Sequence, residues 1–292
     1  MSRTLSSGMN AHLGTRSLRL CRMLRLDLAD GSAVGFTDHN NDLTFDLGDG
    51  ALVYSSGTGI STSNVSLSTG FSADNMEATG PITSTITLTR AVGGRYNRAQ
   101  ARLFAVRWDN LSHGSIPLLG GDVTDVRVEG GKFVLEIRNE LDRYNQTVGR
   151  LLSPMCDADY GDARCKATVE TVAAVVASAP SAHTVLVTYS GSFVDGFFDA
   201  GTLQATAGPM LGCRPTPIFK WDETASGAAT VTLFEPMVEI PAVGTALLIK
   251  RGCPRTRTAC MERDNILNFR GQPEVTGSDQ ILRPTIPGQG NA

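Results

Sequence analysis

The chain reads as a mostly β protein, with two β-barrel-like domains and a few short helices. Apolar residues recur with period two in stretch after stretch, as in "SLRLCRMLRLDL" at residues 17–28, the pattern of strands with one buried face. Turn signals such as Gly48-Asp49-Gly50 and Gly130-Gly131 separate those stretches at hairpin spacing. With 31 Gly and 6% aromatic residues, the composition suits a turn-rich β chain.

In the first strand, Leu18, Leu20, Leu24, Leu26 and Leu28 share one face, interrupted by Arg22, and Cys21 lies on the opposite face as a single thiol. "ADGS" at Ala29–Ser32 turns the chain into "AVGFTDH". "LTFDL" and "ALVYS" form a hairpin around Gly48–Gly50, and "DVTDVRVE" and "KFVLEIRN" form the clearest one around Gly130-Gly131. Helical pattern is confined to Ser6–Leu13, Arg95–Ala101 and Glu140–Gln146. The character changes near residue 150, which divides the chain into an N-terminal β-rich domain (1–150) and a C-terminal four-cysteine domain (151–292). Short strands such as "HTVLVTY", "ATVTLFE" and "GTALLIK" make a small β domain inserted at about 167–250.

A net charge of −3 speaks against a strongly basic nucleic-acid binder or a polybasic membrane surface. Lys occurs only at Lys132, Lys166, Lys220 and Lys250; the other basic residues are Arg, the better partner for bidentate ion pairs. The N-terminal stretch has no apolar core of a signal peptide, and no run approaches the roughly 18 apolar residues of a spanning helix. The expectation is a chain made and folded in the cytoplasm, where thiols stay reduced.

The densest chemistry is in the cysteines. Cys156 and Cys165 form C-x8-C, and Cys253 and Cys260 form C-x6-C, with 87 residues between the pairs. The first loop carries Asp157, Asp159 and Asp162 against Arg164; the second is flanked by Lys250, Arg251, Arg255, Arg257 and Arg263. A basic surround favours thiolates. Zinc sites usually use tighter C-x2–4-C knuckles, whereas iron–sulfur clusters accept wider spacing. The spacing leaves iron–sulfur, zinc and plain buried thiols or disulfides all open. Cys213, in "LGCRPTP", reads as a lone thiol. "DHNND" at Asp38–Asp42 starts like a calcium loop but has Leu43 at the sixth position and Asp49 at the twelfth, so a polar turn is expected. His12, His39, His113 and His183 are dispersed, and no G-x-S-x-G, H-E-x-x-H or P-loop occurs.

"DGSAVGFTDHNNDLTFD", "CDADYGDARC" and "CPRTRTACMERDNILNFRGQPEVTGSD" occur in that order. On these motifs the chain resembles the phage-conserved tail proteins that form the baseplate hub of siphophage-like particles and gene transfer agents. Its paired cysteine spacings are similar to those of the lambda-type tail-tip protein. That resemblance implies a structural [4Fe–4S] cluster held by Cys156, Cys165, Cys253 and Cys260, with zinc as the alternative. The separation of the pairs is much larger than in the lambda-type protein and implies an extra hub domain between them. Gln272 stands where relatives carry an apolar residue. The implied particle is a homotrimeric hub at the virion tail tip, between the distal tail protein and a central fibre or megatron-type tail-tip protein. The tape measure protein would be a further partner, and DNA would meet the hub only in transit. Under that reading the protein is not an enzyme. The competing functions are a metal-dependent enzyme and a cell-wall-degrading or receptor-binding tail-tip component.

Overall fold

The computed structural model describes residues 5–57, 60–62, 75–84, 86–145, 148–150 and 152–274. Its contacts divide the chain into two units: Met1–Thr147 with 205–214 and 238–240, and 148–204 with 215–237 and 241–292.

In the first unit, helix α1 (Ser7–Leu13) starts at Ser6, whose side chain accepts from the Met9 N–H, a serine cap. Strands β1 (Leu20–Asp27), β2 (Ala33–Thr37), β3 (Leu43–Asp46), β4 (Ala51–Ser55), β5 (Ser61–Thr62) and β6 (Asn75–Pro81) follow. After helix α2 (Leu88–Val92) come β7 (Gln100–Arg107), β8 (Ser115–Glu129) and β9 (Lys132–Asn139). They form one nine-stranded sheet in the order β3-β4-β2-β1-β7-β8-β9-β6-β5. β2 and β9 are separated in that order by β1, β7 and β8, which in a flat sheet would put them roughly 19 Å apart at about 4.8 Å per strand. Yet the rings of Phe36 in β2 and Phe133 in β9 have centroids 6.3 Å apart, so the sheet is rolled around its core. Leu24, Leu26 and Leu28 point into that core with Phe36, Leu103, Phe133 and Ile137. Cys21 and Met23 face the other side, where Phe45 and Tyr54 of the β3–β4 hairpin cover them. The sheet is barrel-like without closing: the order runs out at β3 and β5.

The helix expected at Arg95–Ala101 is instead a turn leading into β7. Gly94 and Arg98 both take positive φ (73° and 60°), which ends a right-handed helix. The helix lies earlier, at α2, because Thr87 caps it by accepting from the Arg90 N–H. Glu140–Asn145 is a 3₁₀ helix; Gln146 lies outside the described residues, as do residues 275–279 of the C-terminal motif.

Strands β10 (Thr171–Ser178), β11 (Thr184–Tyr189), β12 (Thr202–Ala205), β13 (Thr216–Ala225), β14 (Ala228–Leu233) and β15 (Ala246–Lys250) form a closed barrel, ordered β10-β11-β14-β13-β12-β15. Alternate residues fill it: Val172, Ala174 and Val176 of β10 and Val185 and Val187 of β11 are buried, while their neighbours face outward. Trp221 is fully buried, 4.7 Å from Phe198 and 5.2 Å from Tyr189 between ring centroids. The chain is thus mostly β throughout. No helix among the described residues is long and apolar enough to cross a membrane.

Candidate metal centre

Barrel closure decides where the cysteines go. β10 and β15 pair antiparallel with Thr171 opposite Lys250, and the ladder extends one step further through the Arg251 N–H to the Glu170 carbonyl at 2.9 Å. The first and last strands therefore lie side by side, and the loops beyond them, with Cys165 on one and Cys253 on the other, leave the barrel together. Gly252 allows this: a Cβ there would sit 1.9 Å from the Ala200 carbonyl oxygen. Helix α3 (Arg257–Glu262) then carries Cys260. Its cap is Thr256, which accepts from the Ala259 N–H at 3.3 Å.

Within the first loop Asp162 is the organiser. Its carboxylate accepts from the backbone N–H of Cys165 at 2.6 Å and of Arg164 at 2.9 Å. These bonds, the Cys165 one foremost, hold its pKa down at about 2.

Two residues tie the cysteine pairs to each other. The Arg255 carbonyl accepts from the Cys156 N–H at 2.9 Å, and the Arg255 N–H points at Cys253 Sγ at 3.4 Å. Asn265 serves the other two: its Nδ2 donates to the Cys165 carbonyl at 2.8 Å and lies 3.5 Å from Cys165 Sγ. Its backbone N–H donates to the Cys260 carbonyl at 3.0 Å, and its own carbonyl is 3.1 Å from Cys260 Sγ. Each bridging residue joins one cysteine of the first pair to one of the second.

The charges are arranged in the same two-part manner. Asp159 of the first loop pairs with Arg255 of the second at 2.7 Å. Asp157 receives Arg150 at 3.0 Å and Arg270 at 3.2 Å. Arg263 lies 4.6 Å from the centre of the Tyr160 ring and donates to the Gly252 carbonyl at 2.9 Å. Burial, and then the charges that Cys156, Cys165 and Cys253 would carry, push the Cys260 thiol up. Cys260 thus lies close enough to the other three sulfurs to feel their charge. Three of the five described non-glycine residues with positive φ stand beside them: Lys166 (58°), Arg255 (60°) and Asp264 (50°). Non-glycine residues avoid that region at a cost of about 1 kcal/mol or more, and such conformations gather where surrounding structure imposes a functional geometry.

The donor set suits a group with positive charge. Four thiolates would repel one another, a cationic centre would relieve that repulsion, and the Arg255 N–H and Asn265 amide point at sulfurs as they would at bound thiolates. A single tetrahedral zinc needs sulfurs about 3.8 Å apart, from Zn–S bonds of about 2.3 Å. Among the described residues no group of three His, Cys, Asp or Glu side chains is placed to hold a metal ion.

Cys21 and Cys213 take no part. Burial raises the Cys21 thiol to about 11, and Cys213 is buried in the first unit, 3.8 Å from the Thr89 carbonyl. The two aspartates of "DHNND" cap backbone N–H groups of distant segments: Asp38 accepts from the Arg22 N–H at 2.7 Å and Asp42 from the Ser56 N–H at 2.7 Å. Beside Cys253 lies a cavity of about 410 Å³ whose described lining includes Lys250, Arg251 and Arg255 but no carboxylate or imidazole. Sequence reasoning passed over Asn265, and it read Asp162 and Arg255 as charges only, without the backbone contacts they make. The signal for Asn265 was its place soon after Cys260, inside the C-terminal motif.

Residues 6–168 match the family model described as "Baseplate hub protein, N-terminal attachment domain". Residues 196–279 match the family described as "Phage conserved hypothetical protein BR0599". The first match takes in Cys156 and Cys165, the second Cys253 and Cys260. No curated protein matches the chain. A chain from the solved structure "Virion of native gene transfer agent (GTA) particle" is similar over 98% of both chains, with 27% sequence identity and a TM-score of 0.82. With more than half its length matched to the attachment-domain model, and in keeping with its motifs, the chain belongs to the baseplate hub protein family.

Proposed function

We propose that this protein is a homotrimeric structural hub of a tail baseplate, linking the distal tail protein to a central fibre or megatron-type tail-tip protein. In this reading it meets the tape measure protein and lines part of the path that DNA takes. The observation that carries the reading is full-length similarity to a chain of a gene transfer agent virion. The match to the attachment-domain model supports an attaching role for the first half.

In the same reading Cys156, Cys165, Cys253 and Cys260 hold a [4Fe–4S] cluster whose work is structural. The cluster would clasp the barrel where its first and last strands meet. Metal-binding free energy then becomes folding free energy. The support is the pair of bridging residues, Arg255 and Asn265, and the effect of the other three thiols on Cys260. Four closed thiolate ligands leave no open position for a substrate, which favours scaffolding over catalysis.

A cryo-EM map of the assembled tail tip tests the proposal. Three copies between the distal ring and the central fibre, with metal density among the four cysteines, is the expected result. A copy number other than three, or a position outside the baseplate, overturns it.

A further inference from the structure

The C-terminal motif does more than close the cysteine site. "NFRGQ" at Asn268–Gln272 forms one wall of a cavity of about 520 Å³. Gly271 lets the wall fold tightly, since a Cβ there would sit 2.6 Å from the Pro154 carbonyl, and the Gln272 N–H donates to the Ser153 carbonyl at 2.8 Å. The lining holds four cations, Arg150, Arg164, Lys166 and Arg270, and no carboxylate among its described residues.

Three of those cations are held in place from behind. Asp157 receives Arg150, Arg270 and, at 4.0 Å, Arg164, and Asp162 pairs with Arg164 at 2.8 Å. Asp157 and Asp162 pair with three of the four cations, and Asp159, itself paired with Arg255, also acts on Arg164. Lys166 is exposed, has no carboxylate partner among the described residues, and stands at φ 58°. Pre-oriented guanidiniums beside a free ammonium bind anions well, because little ordering remains to be done. Beside them the lining is apolar: Leu267 is 97% exposed and Phe269 is half-buried.

We propose that this cavity receives an acidic polypeptide segment, with Asp or Glu side chains next to an apolar residue, from a neighbouring protein. The volume falls in the range of pockets that take in a ligand of many atoms rather than one small ion. Leu267 and Phe269 give an apolar neighbour something to cover. Nucleic acid is the poorer occupant: its charges recur every ~1.7 Å along the duplex, and its backbone brings no apolar side chain to cover Leu267 and Phe269. That the segment comes from another tail protein rests on the hub reading; the chemistry of the cavity does not.

The test is calorimetric titration of the full-length protein at low salt with a blocked Glu-Leu-Glu-Leu-Glu peptide, with inorganic phosphate and a short DNA duplex as separate probes. Lys166→Gly removes the free cation and suits the positive φ, so the fold is retained. One peptide per chain should bind, and Lys166→Gly should weaken it about fivefold or more, the loss of one good charge contact, with no fall in melting temperature. A Leu267→Ser variant should also bind more weakly. Absence of peptide binding, equal binding by wild type and Lys166→Gly, or tighter binding of phosphate or duplex would each overturn the proposal. Peptide binding by a protein that is missing from the tail tip would instead contradict the hub reading and leave the cavity assignment standing.

Discussion

Asn265 reaches Cys165 across 100 residues of sequence, donating from Nδ2 to the Cys165 carbonyl at 2.8 Å. Asn268 holds that amide in orientation by donating to Asn265 Oδ1 at 2.6 Å. This contact joins the two cysteine loops without involving either charge set.

Replacing Asn265 by Ala should therefore cost about 1–3 kcal/mol, since the Cys165 carbonyl loses a partner in a half-buried site. Asn268→Ala, which only frees the amide to rotate, should cost less. Urea unfolding of both variants beside the wild type checks the order; equal losses would contradict the bridging role.

Arg255 should tolerate glycine but not a β-branched residue. At φ 60°, Arg255→Gly relieves about 1 kcal/mol of left-handed strain. It gives back a similar amount in unfolded-chain entropy and loses only an exposed ion pair. The net change should lie within about 1 kcal/mol, whereas Arg255→Val should destabilise by about 2 kcal/mol. Thermal melts of the two variants separate these outcomes.

Gly252→Ala should damage the base of the barrel far more than a surface change, because the new methyl would meet the Ala200 carbonyl at 1.9 Å. A loss of about 2–3 kcal/mol is expected from overpacking against backbone, visible as a lowered urea midpoint. A stability loss under about 0.5 kcal/mol, the level of an ordinary surface substitution, would show that the two backbones are not so close.

The barrel should lose stability in alkali. Burial, and then the bond from the Tyr189 hydroxyl to Glu223 at 3.0 Å, raise Tyr189 to about 12 from its ordinary 10.0. A group raised in the folded state contributes fully below its unfolded pKa, and the contribution is lost as pH rises through the folded value. The decline should fall between pH about 10 and 12, and Tyr189→Phe should flatten it. Urea unfolding followed by Trp221 fluorescence across that range is the measurement.

Much of this architecture was legible in the sequence because hairpins are local. Gly48–Gly50 and Gly130-Gly131 turn β3 into β4 and β8 into β9 where the residues predict it. Closure of the barrel was not legible, since it pairs Thr171 with Lys250 and no local signal announces that register. The helix at Arg95–Ala101 was misread because periodicity does not reveal that Arg98 takes positive φ. The cysteine pairs stood out by spacing and charge. Asn265 did not, because an asparagine becomes a bridge only once the fold has brought Cys165 to it.

Iron and acid-labile sulfide per chain, measured after anaerobic purification, test the cluster most directly. About four of each are expected for a [4Fe–4S] centre, lost in Cys253→Ser together with several kcal/mol of stability, and unchanged in Cys213→Ser. An anaerobic preparation without iron and sulfide, or one whose iron survives in Cys253→Ser, would contradict it.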